Sequence, residues 1–121
     1  MALVTTTSML KKAQDEGYAV GAFNVENMDM VIAVIEAAEE LNSPVLLQTT
    51  PSTVKYAGLD YYLANAKVSA ARVNIPVAMH LDHGSRFDLA MKALRSGYTS
   101  IMIDGSHEIF AMHIAISTSV V

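Results

Sequence analysis

The sequence predicts an α/β fold built on a parallel sheet, and three observations carry that expectation. Short apolar runs that read as strands start near Tyr18, Pro44, Pro76 and Tyr98. Between them, apolar residues recur every three or four positions, the period of a half-buried helix. Such alternation returns the chain to the same edge of the sheet each time, so consecutive strands run parallel. The third observation is where the ionisable residues fall. They gather at strand ends, most densely in Ile75-Pro76-Val77-Ala78-Met79-His80-Leu81-Asp82-His83-Gly84. In parallel α/β sheets the C-terminal strand ends are where ligands bind.

A leading helix, capped by Thr7 or Ser8, runs through Lys11, Lys12 and Glu16, with Met9, Leu10 and Ala13 as its apolar residues. Gly17 stops it. Tyr18 to Val25 reads as the first strand; Gly21 within it points to a bulge or a close backbone approach. Asn27 is the expected N-cap of the next helix. Its inner face is Met28, Val31, Ile32, Ile35 and Ala38, and Asp29 suits the positive end of the helix dipole. Asn42-Ser43 ends that helix, and Pro44 opens the second strand, Val45 to Thr49. Thr50-Pro51-Ser52-Thr53 reads as a polar loop. A third helix is expected from Leu59 to Arg72, with Leu63, Ala66, Ala70 and Val73 inward. Pro76 then opens the third strand. Arg86 to Arg95 is helical and closed by Ser96-Gly97. Tyr98 to Ile103 is the fourth strand, followed by Asp104-Gly105-Ser106-His107. Glu108 to Val121 is helical, with Ile109, Met112, Ile116 and Val120 on one side.

Composition narrows the function classes. The 121 residues are 52% hydrophobic and 17% charged, enough apolar material for a packed core. A net charge of -4 lacks the basic footprint of a nucleic-acid binder. With no cysteine, a transition metal would have to be held by His, Asp, Glu or water. The N-terminus lacks a signal-peptide pattern, and no apolar run approaches a membrane span. The expectation is therefore a cytoplasmic protein with neither a membrane nor a nucleic-acid partner.

Four βα units are half of what a (β/α)8 barrel of about 250 residues contains. A doubly wound four-stranded sheet is the alternative. It calls for a glycine-rich phosphate turn after the first strand, and Phe23-Asn24-Val25-Glu26-Asn27 has none. Ser119-Val120-Val121 carries no helix C-cap. Residues 1–121 are thus expected to form one incomplete barrel domain, truncated before its second half.

Four motifs sharpen the expectation: Gly17-Tyr18-Ala19-Val20-Gly21-Ala22-Phe23-Asn24, Ser43-Pro44-Val45, His80-Leu81-Asp82-His83-Gly84 and Ser100-Ile101-Met102-Ile103-Asp104-Gly105-Ser106-His107. In this order they resemble the class II, metal-dependent ketose-bisphosphate aldolases, the family of fructose- and tagatose-bisphosphate aldolases. The resemblance implies the N-terminal half of a TIM barrel. It also implies zinc-dependent, reversible cleavage of a ketose 1,6-bisphosphate to dihydroxyacetone phosphate and glyceraldehyde 3-phosphate. By position it makes His83 a zinc ligand and Asp82 the proton donor to the departing aldehyde oxygen. Asp104 becomes a ligand of a second divalent cation found in some members. Asn24 and Thr50 become substrate contacts.

The residue types suit that chemistry. Cleavage between two oxygenated carbons leaves negative charge on the ketone half, and zinc polarises a carbonyl well. A neutral imidazole is a good zinc ligand. A carboxyl group can move the proton at the other hydroxyl. Asp82 and His83 are adjacent, so they are expected to point differently, one to metal and one to substrate. His80 is expected to make a structural hydrogen bond, Ser85-Arg86 to form a solvent-facing helix start, and Thr50 and Ser52 to be able to cap the following segment.

The run Phe110-Ala111-Met112-His113 departs from the acidic and Asn residues that family members usually carry there, and leaves His113 without a role. The family's other zinc histidines and its phosphate loops belong to its second half. A noncatalytic half-barrel is therefore the alternative expectation. It would cover its open edge with a partner or with itself, as a homo-oligomer.

Overall fold

The computed structural model describes residues 2–121. A leading helix α1 (Thr6–Glu16) is followed by β1 (Gly21–Asn24), α2 (Met28–Glu40), β2 (Val45–Thr49), α3 (Pro51–Ala57) and α4 (Leu59–Arg72). Then come β3 (Val77–Gly84), α5 (Phe87–Ser96), β4 (Ser100–Ile103) and α6 (Phe110–Val120). The four strands form one parallel sheet in the order β1-β2-β3-β4. All the C-terminal strand ends therefore lie along one edge of the sheet, as the alternation predicts.

The ends of the helices follow local chemistry. Gly17 closes α1 in the left-handed region, at φ 75°. The α1 cap falls at Thr5 rather than Thr7 or Ser8, and Thr5 makes no side-chain capping bond. Asn27 caps α2 as predicted, its Oδ1 accepting from the Met30 N–H at 2.9 Å. The Thr50-Pro51-Ser52-Thr53 stretch is not a loop. Thr50 is the N-cap of α3 and Pro51 occupies the first helical turn, where its fixed φ and missing N–H cost nothing. Capping residues look the same in sequence whether a loop or a helix follows them.

The sheet separates two packing layers. On one face Val45, Leu47, Val77, Met79 and Leu81 pack against Val31, Ile35 and Ala38 of α2 and Leu63, Ala66 and Ala70 of α4. Leu47, Met79 and Leu81 are fully buried, each contributing about 1.5–3 kcal/mol of hydrophobic stabilisation. Met28 and Ile32, expected on the inner face of α2, are exposed instead. On the other face Leu46 and Ala78 pack on Met9 of α1. Leu10 points to solvent.

The last helix of the expectation differs most. α6 buries no residue; Ile109 before it is 75% exposed, Met112 is exposed, and Ile116 and Val120 are only partly covered. Its apolar residues surround the axis rather than forming a stripe, so no single face is selected against the sheet. No helix among the described residues is long and apolar enough to cross a membrane.

Candidate active site

The C-terminal end of β3 is irregular, and the irregularity builds the site. The β3–β4 ladder pairs Leu81 with Ile101 and then Gly84 with Ile103. β3 takes three steps where β4 takes two, so one extra residue is accommodated at Asp82-His83 as a β-bulge. His83 adopts φ 50°, a left-handed conformation that costs a non-glycine residue about 1–3 kcal/mol. Gly84 is required beside it. A Cβ at Gly84 would lie 2.7 Å from the Met102 carbonyl oxygen, and the Gly84 carbonyl accepts from the Asp104 N–H at 2.8 Å.

In a regular strand, adjacent side chains point to opposite faces. The bulge overrides that rule and corrects the expected divergence of Asp82 and His83. The His83 ring reaches both carboxylates: Nδ1 is 3.0 Å from Asp104 Oδ2, and Nε2 is 3.8 Å from Asp82 Oδ2.

Asp82 is also held from the β2 side. The register sets Asn24 beside Gln48 and Gln48 beside His80. Asp82, two residues beyond His80 on the same face, is then diagonal to Gln48. The Gln48 amide Nε2 donates to Asp82 Oδ2 at 3.0 Å and also to Asn24 Oδ1. Polar side chains from β1, β2 and β3 and from the residue that follows β4 thus form one run: Asn24, Gln48, Asp82, His83 and Asp104. Gln48 is the member that sequence reasoning missed. Its signal was an amide within the apolar strand Val45-Leu46-Leu47-Gln48-Thr49.

The remaining sequence candidates sit around this run. Thr50 lies on the same sheet edge, but its hydroxyl pairs with Ser52 at 2.9 Å and Thr53 at 3.0 Å as part of the α3 cap. His80 Nδ1 lies 2.7 Å from the Ser100 hydroxyl, tying β3 to β4 beneath the site. Arg86 pairs with Asp88 at 2.8 Å on an exposed helix start. The His113 ring packs over Gly105, where a Cβ would meet it at 2.6 Å, so it seats α6 on the loop after Asp104.

Electrostatics distinguishes the two histidines. The hydrogen bond to Asp104, aided by the charge of Asp82, raises the pKa of His83. Burial lowers that of His80, with Asp82 opposing the shift. Asp104 is held well below the usual carboxylate range by hydrogen bonds from Ser106 and His83. One of its oxygens receives the Ser106 N–H at 3.0 Å and the other faces His83.

The donor chemistry fits one part of a metal site. A carboxylate on Nδ1 fixes an imidazole's orientation and leaves Nε2 as the ligand atom, as at many zinc centres. A catalytic zinc keeps three protein ligands. Among the described residues there is no group of three metal-ligating side chains. His83 is thus a candidate for one ligand, and these residues alone do not complete a metal site.

Comparison with known proteins bears on the family and the fold. Residues 4–121 match the sequence model of the family described as fructose-bisphosphate aldolase class-II. A fructose-bisphosphate aldolase of Helicobacter pylori is 44% identical over 120 residues, covering 98% of this chain and 39% of that protein. One from Thermus caldophilus is 49% identical over 113 residues, covering 93% of this chain and 36% of that protein. The crystal structure of the YdjI aldolase from Escherichia coli K12 superposes with a TM-score of 0.87 at 28% identity, over 98% of this chain and 46% of that one. The chain thus spans about two fifths of the length of the relatives it matches. Its fold is that of consecutive βα units of a barrel.

Proposed function

Because the chain belongs to the class II fructose-bisphosphate aldolase family, we propose that residues 1–121 are the first half of a barrel domain in a cytoplasmic, zinc-dependent aldolase. The reaction is reversible cleavage of a ketose 1,6-bisphosphate, fructose or tagatose, into dihydroxyacetone phosphate and glyceraldehyde 3-phosphate. The observation that carries this reading is the meeting of Asp82, His83 and Asp104 at one strand edge, within 3.8 Å of a shared imidazole.

Each residue has a task that follows from its contacts. Asp82 moves the proton at the hydroxyl of the aldehyde half. It takes the proton as the carbon–carbon bond breaks and returns it in condensation. Gln48 holds its Oδ2 at 3.0 Å, which fixes the carboxylate plane and leaves Oδ1 for substrate. His83 is the metal ligand through Nε2, with Asp104 keeping the ring oriented. In family members with a second cation, Asp104 is the candidate ligand for it. Zinc, when bound, polarises the ketone carbonyl and offsets the charge left there. Asn24, at the tip of β1, and Thr50, at the start of α3, face the substrate side of the same edge.

The test is a chimera in which residues 4–121 replace the matching segment of the Helicobacter pylori aldolase. It should cleave fructose 1,6-bisphosphate in a coupled assay. Asp82→Asn should remove turnover while zinc stays bound, and His83→Ala should remove zinc. A folded, zinc-loaded chimera without cleavage would reject the catalytic reading in favour of a noncatalytic half-barrel.

A further inference from the structure

Beside the run of site residues, a carboxylate and three hydroxyls form a row of hydrogen bonds that can point only one way. Thr53 Oγ1 donates to Glu26 Oε1 at 2.7 Å. Thr50 Oγ1 lies 3.0 Å from Thr53 Oγ1 and 2.9 Å from Ser52 Oγ. A carboxylate accepts and has no hydrogen to give, whereas each hydroxyl has one. Thr53 spends its hydrogen on Glu26, so Thr50 must be the donor to Thr53. Thr50 has then spent its own, so Ser52 must be the donor to Thr50. The accepting atom of Glu26 thus sets the direction of the whole row, from Ser52 through Thr50 and Thr53 to Glu26.

The row joins two segments that carry site residues. Glu26 stands two residues beyond Asn24, the last residue of β1, and Thr50 is the N-cap of α3. Thr53 is only 2% exposed, so water is a poor substitute for its carboxylate partner, and a buried hydroxyl left unpaired is costly. The backbone of the β1–α2 loop is held by other groups. Val25 is buried and its N–H donates to the Gln48 carbonyl at 3.0 Å. The Tyr62 hydroxyl donates to the Glu26 carbonyl at 3.1 Å. These ties fix where the loop runs. The Glu26 side chain then reaches across to α3.

We propose that Glu26 is a positioning residue for the substrate edge. Acting through Thr53, it orients the Thr50 hydroxyl and sets its place relative to Asn24, the two residues assigned above to the substrate side. Removing the carboxylate frees the Thr53 hydrogen to turn back towards Thr50, which reverses the row and uncouples α3 from the β1–α2 loop. A glutamine at this position still accepts through its carbonyl oxygen and keeps the direction. A lysine can only donate, so it imposes the reverse direction. The kinetic consequence rests on the aldolase reading above; the coupling of the two segments does not.

The test places Glu26→Ala, Glu26→Gln and Glu26→Lys in the chimera described above. It reads KM and kcat for fructose 1,6-bisphosphate, and hydrogen exchange over α3, residues 51–57, by mass spectrometry. Glu26→Ala should raise KM by roughly three- to tenfold, the worth of one hydrogen bond, with little change in kcat and faster exchange over α3. Glu26→Gln should restore both readouts to near wild type, and Glu26→Lys should be at least as impaired as Glu26→Ala. The backbone ties at Val25 and Tyr62 are untouched, so all three variants should fold. Wild-type exchange in Glu26→Ala would overturn the proposal. So would a glutamine variant as impaired as the alanine one, or faster exchange at an unchanged KM, which would make Glu26 structural only. A folded chimera without any cleavage would reject the aldolase reading, and the exchange comparison would still decide whether Glu26 couples the two segments.

Discussion

Gly84→Ala probes the bulge that brings the site together. The new Cβ would lie 2.7 Å from the Met102 carbonyl oxygen, a backbone atom that cannot swing aside. Reaching an ordinary contact of 3.4 Å requires β3 and β4 to separate by roughly 0.7 Å at this point. The 2.8 Å bond from the Asp104 N–H to the Gly84 carbonyl spans that same gap, so it weakens as the strands part. Overpacking of this kind costs about 1–3 kcal/mol, and a weakened backbone hydrogen bond adds about 1 kcal/mol. The expected loss is therefore about 2–4 kcal/mol, read as a lower urea midpoint at unchanged slope. Separation of the strands also draws Asp104 away from His83, so the His83 pKa should fall towards its ordinary value of 6.5 in an NMR titration. An alanine variant within about 0.5 kcal/mol of wild type, with the His83 titration unmoved, would refute the argument that close approach at Gly84 builds the site.

Asp104→Asn should lower the His83 pKa, because it removes the main cause of the upward shift. In the wild type, the raised folded-state value means that His83 adds stability in full below its unfolded pKa of about 6.5. That stability is lost as pH rises through the folded value. His80 titrates in the opposite direction. Its lowered value makes protonation destabilising as pH falls from 6.5 through the folded value, because burial is the main cause of the shift. Leu47→Ala, at a position with no exposure, should cost about 2–5 kcal/mol in urea unfolding. Asn27→Ala removes the bond to the Met30 N–H and should cost about 1 kcal/mol, visible as earlier fraying of α2 in hydrogen exchange.

Much of the fold was legible because its signals are local. Val45–Thr49 and Leu59–Arg72 stand where their patterns placed them, since β-branched and aliphatic runs bounded by Pro, Asn and Gly fix both type and ends. Leu63, Ala66, Ala70 and Val73 are buried as their spacing requires. Helix α3 was not legible. Seven residues opened by Thr50 and Pro51 carry too few turns for a periodicity to show, and their polar start reads equally as loop. The inner face of α6 was misread because period alone cannot choose a side when nearly every side is apolar.

The sequence by itself determined the alternation of strands and helices, their parallel sense and the presence of Asn24, Asp82, His83 and Asp104 at strand tips. These depend on patterns a few residues long. Only the tertiary structure decided that Asp82 and His83 turn towards one another, and that Gln48 links Asp82 to Asn24. Neighbouring residues on a strand diverge by default. A one-residue offset between β3 and β4 reverses that divergence, and the offset belongs to the pairing of two strands rather than to either one alone.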